Sequence, residues 1–296
     1  MAKGVFLSVF SSCIFGGIFY LVTLLSQLSG QEIMGWRVLC MFSLLTGFML
    51  AHKNDWQLVR EITARLASQP WRIPAMLLSS ALIGSQFWIF VWAPNHGHAL
   101  DLSLGYFLLP LAMVLCGRIV YKEKLSRFQR GAVLFAFIGI CNQFYIGASF
   151  SWVVLLSALG YPPYFMLRRY LKHDNLGGFW FDLLFMLPAG LFLIWDGEHS
   201  VAFMLSEGGL FWMLLLYGFS SGVAIIFYIL SSRLLTLGLL GLLGYVEPVL
   251  LVIIALLLGN SIAQGELITY IGVWLAVLML VFDGVRVMRL HRKFTE

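Results

Sequence analysis

Few side chains in this sequence can do chemistry, and most of those stand inside apolar runs. Glu247 lies about twelve residues from either end of one run and directly precedes Pro248; Arg37 stands one to two turns inside a second, and Asp101 opens a third. An ionisable group at mid-bilayer depth costs about 2.5–3.5 kcal/mol on insertion scales, so it tends to face an interior cavity and to serve a purpose there. Desolvation favours the neutral form of a carboxyl that has no cationic partner. Glu247 is therefore a candidate for proton coupling, or else a neutral carboxyl hydrogen-bonded between helices. Arg37 either snorkels to the outer headgroups, or is a cavity cation that pairs with Glu247 or Asp101 or receives an anionic solute. Asp101 either complements the dipole of its own helix or takes part in substrate or proton binding.

The segment Gln86-Phe87-Trp88-Ile89-Phe90-Val91-Trp92-Ala93-Pro94-Asn95 adds a second group of candidates. Gln86 must find hydrogen-bond partners in apolar surroundings. Trp88 and Trp92, four residues apart, share a helix face and offer an aromatic wall to a planar or cationic solute, although an interfacial belt explains Trp92 equally well. With Asn95, Tyr106 and Tyr245 as further polar contacts, the candidate substrate-binding set is Arg37, Gln86, Trp88, Trp92, Asn95, Tyr106, Tyr245 and Glu247, with Glu247 and Asp101 as the candidate proton- or charge-coupling groups. Asp182 and Asp283 lie near basic residues at span ends and read as structural.

Enzyme-like patterns are weak. Gly218-Phe219-Ser220-Ser221-Gly222 fits G-x-S-x-G, but a nucleophile elbow needs a strand-to-helix turn, and this run reads instead as small-residue helix packing. All six histidines fall in loops or the tail, so no buried Ser-His pair is expected. His96-Gly97-His98 with Asp101 is thin support for a metal site; no metal and no cofactor is expected.

The elements that must hold these groups are membrane spans. The chain is 60% hydrophobic and 11% charged over 296 residues, against about 25% charged for a typical soluble domain. A span needs about 20 predominantly apolar residues, and ten such stretches occur, at 4–28, 33–51, 73–93, 100–120, 127–147, 150–171, 177–195, 209–231, 235–258 and 266–285. The loops between them, the longest from His52 to Arg72, have no room for a nucleotide-binding domain, and no G-x-x-x-x-G-K-[ST] run occurs. The apolar run after Lys3 is longer than a signal-peptide core and reads as a retained anchor. Cys13, Cys40, Cys116 and Cys141 all fall inside spans and read as small buried hydrophobes.

Lys and Arg of short loops mark the cytoplasmic side. Of the 19 basic residues, 18 lie before the first span, in or bordering even-numbered loops, or in the tail, which places both termini in the cytoplasm; the exception is Arg37. This distribution points to lipid rather than nucleic acid as the surrounding partner.

The chain divides near residue 148 into two five-span halves, 1–148 and 149–296. Because five is odd, a shared fold makes the second half inverted relative to the first. Gly105-Tyr106 before Pro110 is matched by Gly244-Tyr245 before Pro248, and Gly160-Tyr161-Pro162-Pro163 by Gly16-Gly17 at similar depth. Gly and Pro in corresponding spans free backbone carbonyls and point to a central site, so Gly16, Gly17, Pro110, Pro162, Pro163 and Pro248 are expected helix breaks. The fold class is thus an all-α polytopic membrane protein of ten transmembrane helices in two inverted repeats. A secondary transporter of a small-molecule substrate fits it best, with a facilitative pore or a non-transporting scaffold as the alternatives.

Trp92-Ala93-Pro94-Asn95, Leu102-Ser103-Leu104-Gly105-Tyr106-Phe107, Pro110, the Lys122-Glu123-Lys124 exit, Glu32-Ile33, Trp36-Arg37-Val38 and Tyr245-Val246 before Pro248 resemble the RarD branch of the EamA transporters, in the drug/metabolite transporter superfamily. The resemblance covers nearly the whole chain. It implies a central cavity lined by spans other than the fifth and tenth, a bacterial inner membrane, and export of drugs, amino acids or other metabolites. Two features depart from the family: Gly259-Asn260 replaces the second of its two Gly-Glu pairs, and Glu247 stands where some relatives carry glycine.

Overall fold

A computed structural model describes residues 2–120, 122, 125–145, 151–199, 201–232, 234, 243–244 and 246–295. All regular structure among the described residues is helical. The helices are α1 (Ala2–Leu24), α2 (Gly30–Ala51), α3 (Lys53–Ser68), α4 (Arg72–Asn95), α5 (Ala99–Val120), α6 (Arg127–Tyr145), α7 (Trp152–Leu159), α8 (Tyr161–Leu171), α9 (Leu176–Trp195), α10 (Val201–Ser206), α11 (Leu210–Ser232), α12 (Val246–Leu257) and α13 (Leu267–Thr295), with a 3₁₀ turn at Gln264–Glu266. Six of them, α1, α2, α4, α5, α9 and α11, are long and apolar enough to cross a membrane, and shorter apolar stretches lie at Val246–Leu257 and Gln264–Met279.

Local sequence explains where these helices begin. Ser29 caps α2 reciprocally with Glu32: its hydroxyl accepts from the Glu32 amide at 3.2 Å, and the Glu32 carboxylate accepts from the Ser29 amide at 2.9 Å. Asn175 caps α9 by accepting from the Gly178 amide at 3.0 Å. The chain turns between α8 and α9 at Lys172, which adopts φ 57°.

Three expectations change. The segment after His52 is a helix, α3, and not a loop. Val59, Ile62 and Leu66 bury one face of it, and it packs on α9 and α2 with Arg60 and Glu61 outward; its apolar stripe is too narrow to register as a span. The apolar run 150–171 is two helices separated by a bend at Gly160, and Pro162 and Pro163, expected as the break, stand just after it in the first turn of α8. Conversely, α1 runs unbroken through Gly16 and Gly17, and α5 through Pro110. Gly16 serves close packing instead, since a methyl group there would sit 3.2 Å from Leu250 of α12. Pro248 lies in the first turn of α12, and Tyr245 and residues 235–242 are outside the described residues. So is the boundary near residue 148.

Packing centres on α2, which is pressed between α9, α11 and α4. Small residues make this approach possible: a methyl group at Gly35 would meet the Gly190 carbonyl of α9 at 2.6 Å, and one at Gly218 of α11 would meet Cys40 of α2 at 2.6 Å. At the other side α6 and α13 pair through Asn142, which donates to Thr269 at 3.1 Å. Their outer faces present Leu134, Phe137 and Ile138, and Ile268, Ile271 and Leu278. Such contiguous apolar surface suits lipid rather than water. Cys40 is buried, whereas Cys13 and Cys141 lie on the exposed surface.

Gly35 and Gly47 of α2 provide a paired test. Gly35→Ala should destabilise the purified protein by about 1–3 kcal/mol by overpacking against α9. Gly47→Ala, which meets nothing within 4 Å, should leave stability unchanged or raise it by up to about 1 kcal/mol. Thermal unfolding of both variants in the same detergent checks the contrast.

Candidate functional site

Arg37 points inward. It is 1% exposed, which excludes snorkelling to the headgroups. Its Nη1 donates to the Phe87 carbonyl at 3.2 Å, and its guanidinium carbon lies 4.6 Å from the Phe87 ring centroid, 5.5 Å from that of Phe90 and 5.6 Å from that of Tyr217. These rings supply cation–π stabilisation, worth about 2 kcal/mol or more where water is excluded. Among the described residues no carboxylate comes within 4.0 Å of Arg37. The Arg37 Nε and the Tyr217 hydroxyl are both buried without a hydrogen-bond partner among the described residues. Gly218 brings them together, because it lets α11 lie directly against α2.

Gln86 sits at the broken helix. Its Nε2 donates to the Leu156 carbonyl of α7 at 3.1 Å, while its Oε1 is buried and has no partner among the described residues. A side chain at Gly160 would occupy the space that the Gln86 amide fills. Beyond it, Tyr106 of α5 meets Tyr161 of α8 with ring centroids 6.2 Å apart and Phe90 of α4 at 6.0 Å. Glu247 lies within electrostatic reach of Tyr106, Tyr161, Tyr228 and Arg37. Arg37, Gln86, Tyr106 and Glu247 thus come from α2, α4, α5 and α12 to a shared interior. Tyr161, Tyr217 and Tyr228 join them. The sequence reading missed those three as contacts because a tyrosine inside an apolar run looks like any other aromatic until its neighbours are known.

The remaining candidates lie toward the other end of α4. Trp88 stacks on Trp92 at 5.7 Å and on Trp152 at 6.0 Å, and Trp92 stacks on His96 at 4.2 Å and His98 at 5.5 Å. Asp101 pairs with His98 Nδ1 at 2.7 Å in a half-exposed position, so it is not the counter-ion of Arg37. Asn95 ends α4 beside this cluster. On the same side Glu32 accepts from the His199 amide at 2.8 Å, which ties α2 to the segment after α9.

A second buried arginine went unnoticed in the charge pattern, where Arg168 reads as a loop cation. Arg168 Nη1 donates to Asp182 at 2.7 Å and to the Tyr164 hydroxyl at 2.6 Å; Nη2 donates to the carbonyls of His173 at 2.7 Å and Asn175 at 2.6 Å. Ser79 completes the network by donating to Asp182 at 2.9 Å. Unlike Arg37, this guanidinium is extensively paired with protein oxygens. His173, in the connection between α8 and α9, is buried, and that burial with Arg72, Arg65 and Arg168 around it pushes its imidazole down to about 4.

The G-x-S-x-G match is helical. Gly218 and Gly222 abut α2, and Ser221 donates to the Tyr217 carbonyl at 2.8 Å, an ordinary intrahelical bond.

Comparison with known proteins gives a consistent picture. Residues 2–142 match the model of the EamA-like transporter family. The chain is 43% identical over 290 residues to the chloramphenicol-sensitive protein RarD of Pseudomonas aeruginosa, covering 97% of this chain and 96% of that one. It is 36% identical over 294 residues to an uncharacterized transporter of Pasteurella multocida, covering 99% and 100%. A solved crystal structure shares the fold with a TM-score of 0.63 at 16% identity, covering 96% of this chain and 97% of that chain.

The Arg168 network should behave as a structural tie. Asp182→Asn should cost about 3–5 kcal/mol by leaving a buried guanidinium without its counter-charge, and the double variant Arg168→Met, Asp182→Leu should recover most of it; unfolding of the single and double variants measures both. His173 adds a pH dependence. Its folded value of about 4 lies below the ordinary 6.5, so the unfolded chain binds the extra proton. Stability should be full above about pH 6.5, decline as pH falls toward 4, and depend less on pH across that window in His173→Leu.

Proposed function

The chain belongs to the RarD branch of the EamA-like transporter family, in the drug/metabolite transporter superfamily, and on that footing we propose that it exports small organic solutes across a bacterial inner membrane by alternating access. It is a multi-pass membrane protein of a transporter family. The finer reading rests chiefly on one observation: the polar groups Arg37, Gln86, Tyr106 and Glu247 converge from four different helices on an otherwise apolar interior.

We read the architecture as ten spans in two inverted repeats, 1–148 and 149–296, with both termini cytoplasmic. Helix pairing supports this. If α1, α2, α4, α5 and α6 are exchanged in order for α7 with α8, α9, α11, α12 and α13, the principal contacts map onto one another. The pair α1–α11 corresponds to α8–α4, α2–α11 to α9–α4, and α5–α7 to α12–α1; α2–α9, α5–α12 and α6–α13 each correspond to themselves. Two halves that can rock against each other about α2, α9, α5 and α12 would expose a central site to either side in turn. The break at Gly160 and the polar groups beside it lie at that junction.

Energy would come from a gradient, with Glu247 as the group that couples protons to solute movement. Arg37 and Glu247 set charge preference, Gln86, Tyr106 and Tyr245 make polar contacts, and Trp88, Trp92 and Asn95 line the approach. Asp101, paired with His98, is placed to contribute on that same side.

Untargeted comparison of solutes released by cells with and without the protein supplies the cargo for reconstitution. In proteoliposomes its flux should saturate with concentration and respond to an imposed pH gradient. Glu247→Gln should retain saturable flux but lose that pH response. Flux that rises linearly without saturating would mark a pore, and absence of protein-dependent flux would mark a scaffold.

A further inference from the structure

Two arginines are buried among the described residues, and only one of them is extensively matched by protein groups. Arg168 has an aspartate, a phenol and two carbonyls around it, each within 2.7 Å. Arg37 is as deeply buried, yet its one hydrogen bond among the described residues runs to the Phe87 carbonyl; the Nε of each arginine lacks a partner there, so the two differ in their Nη donors, four hydrogen bonds at Arg168 against one at Arg37. The rings of Phe87, Phe90 and Tyr217 stabilise the charge without consuming the N–H donors that a guanidinium directs along its edges. Beside it the Tyr217 hydroxyl is fully buried, lies under the influence of the Arg37 charge, and has no other partner among the described residues.

The described acidic groups do not fill this gap. Asp101 is engaged by His98, Asp182 by Arg168 and Glu32 by His199. Glu247 acts on Arg37 through space but does not reach ion-pair distance. A lipid headgroup cannot reach a side chain that is 1% exposed.

We propose that the cargo carries an anionic group of carboxylate type, and that Arg37 together with the Tyr217 hydroxyl receives it. This rests on the transport reading above and names the class of solute for that site. A guanidinium binds a planar carboxylate through paired N–H donors better than any other side chain does. The aromatic surround of Phe87, Phe90 and Tyr106 favours an organic body on the anion over a small inorganic ion, because the latter would forfeit its hydration without gaining apolar contact. The pairing forms only while cargo is present, which explains why no described carboxylate reaches ion-pair distance there.

The test compares solutes released by cells producing no protein, wild type, Arg37→Gln, Arg37→Lys and Tyr217→Phe, with each variant checked for folded yield by gel filtration in detergent. Purified wild type is also assayed for thermal stabilisation by matched pairs such as benzoate and benzamide. Protein-dependent solutes should be organic acids, and carboxylates should stabilise the protein where their amides do not. Arg37→Gln should lower release by about tenfold or more, as removing one side of a buried charge pair does, with Arg37→Lys intermediate and Tyr217→Phe weaker by a few-fold. Protein-dependent solutes lacking an anionic group, or unchanged release from a folded Arg37→Gln, would overturn the inference while leaving the transport reading intact. If Arg37→Gln does not fold, the identity of the released solutes and the Tyr217→Phe effect decide. If no solute depends on the protein at all, the transport reading falls and this inference with it.

Discussion

Hydrocarbon offers a polar group no partner, and this one constraint organises the molecule. Each helix satisfies its own backbone internally, so neighbouring helices must answer the side chains. Gln86 reaches across to the Leu156 carbonyl, Ser79 and Tyr164 to Asp182, and Asn142 to Thr269. Each of these bonds joins different helices. The polar residues of the interior therefore act as ties as well as candidate ligands, and a tie can be told from a ligand by whether its capacity is filled.

Close helix approach decides where such ties can form. Helix α2 touches α9 at Gly35 and Gly190, and α11 at Gly218 and Gly222, with backbone-to-backbone proximity that larger residues would forbid. Arg37 follows two residues after Gly35 and meets Tyr217, one residue before Gly218. The glycine contacts thus set the position of the guanidinium and its aromatic surround to within one turn of helix. In the same way Gly160 creates the space into which Gln86 reaches, and so couples the helix break to a polar group.

Much of this was legible in the sequence. Apolar length picked out the six helices, α1, α2, α4, α5, α9 and α11, that are long and apolar enough to cross a membrane, because it follows from transfer energies that depend on residue type alone. Arg37, Gln86, Tyr106 and Glu247 stood out for the same reason. Helix α3 was not legible as a span because its apolar residues occupy one face only, at positions 59, 62 and 66. The expected breaks at Gly16, Gly17 and Pro110 did not form, since glycine in a membrane helix also serves contact, and only the partner helix, here α12 against Gly16, reveals which role applies. Arg168 reads from sequence as a loop cation. Its burial follows from the turn at Lys172, which folds the carbonyls of His173 and Asn175 back over it.

The contrast between the two buried arginines carries the most weight for function. Both guanidiniums lose hydration on leaving water, and an uncompensated charge is costly wherever it lies. At Arg168 compensation is permanent, built from Asp182, Tyr164 and the α8–α9 turn. At Arg37 it is partial, consisting of one carbonyl and three ring faces. A permanent carboxylate at Arg37 would have secured α2 to its neighbours as firmly as Asp182 secures α9 to α8 and α4. It would also have saturated the guanidinium, leaving no differential affinity for an incoming anion and so no means for solute to bias one conformation over another. On the transport reading proposed above, an incompletely paired cation would keep that free energy available to the cargo, as alternating access requires of a central site.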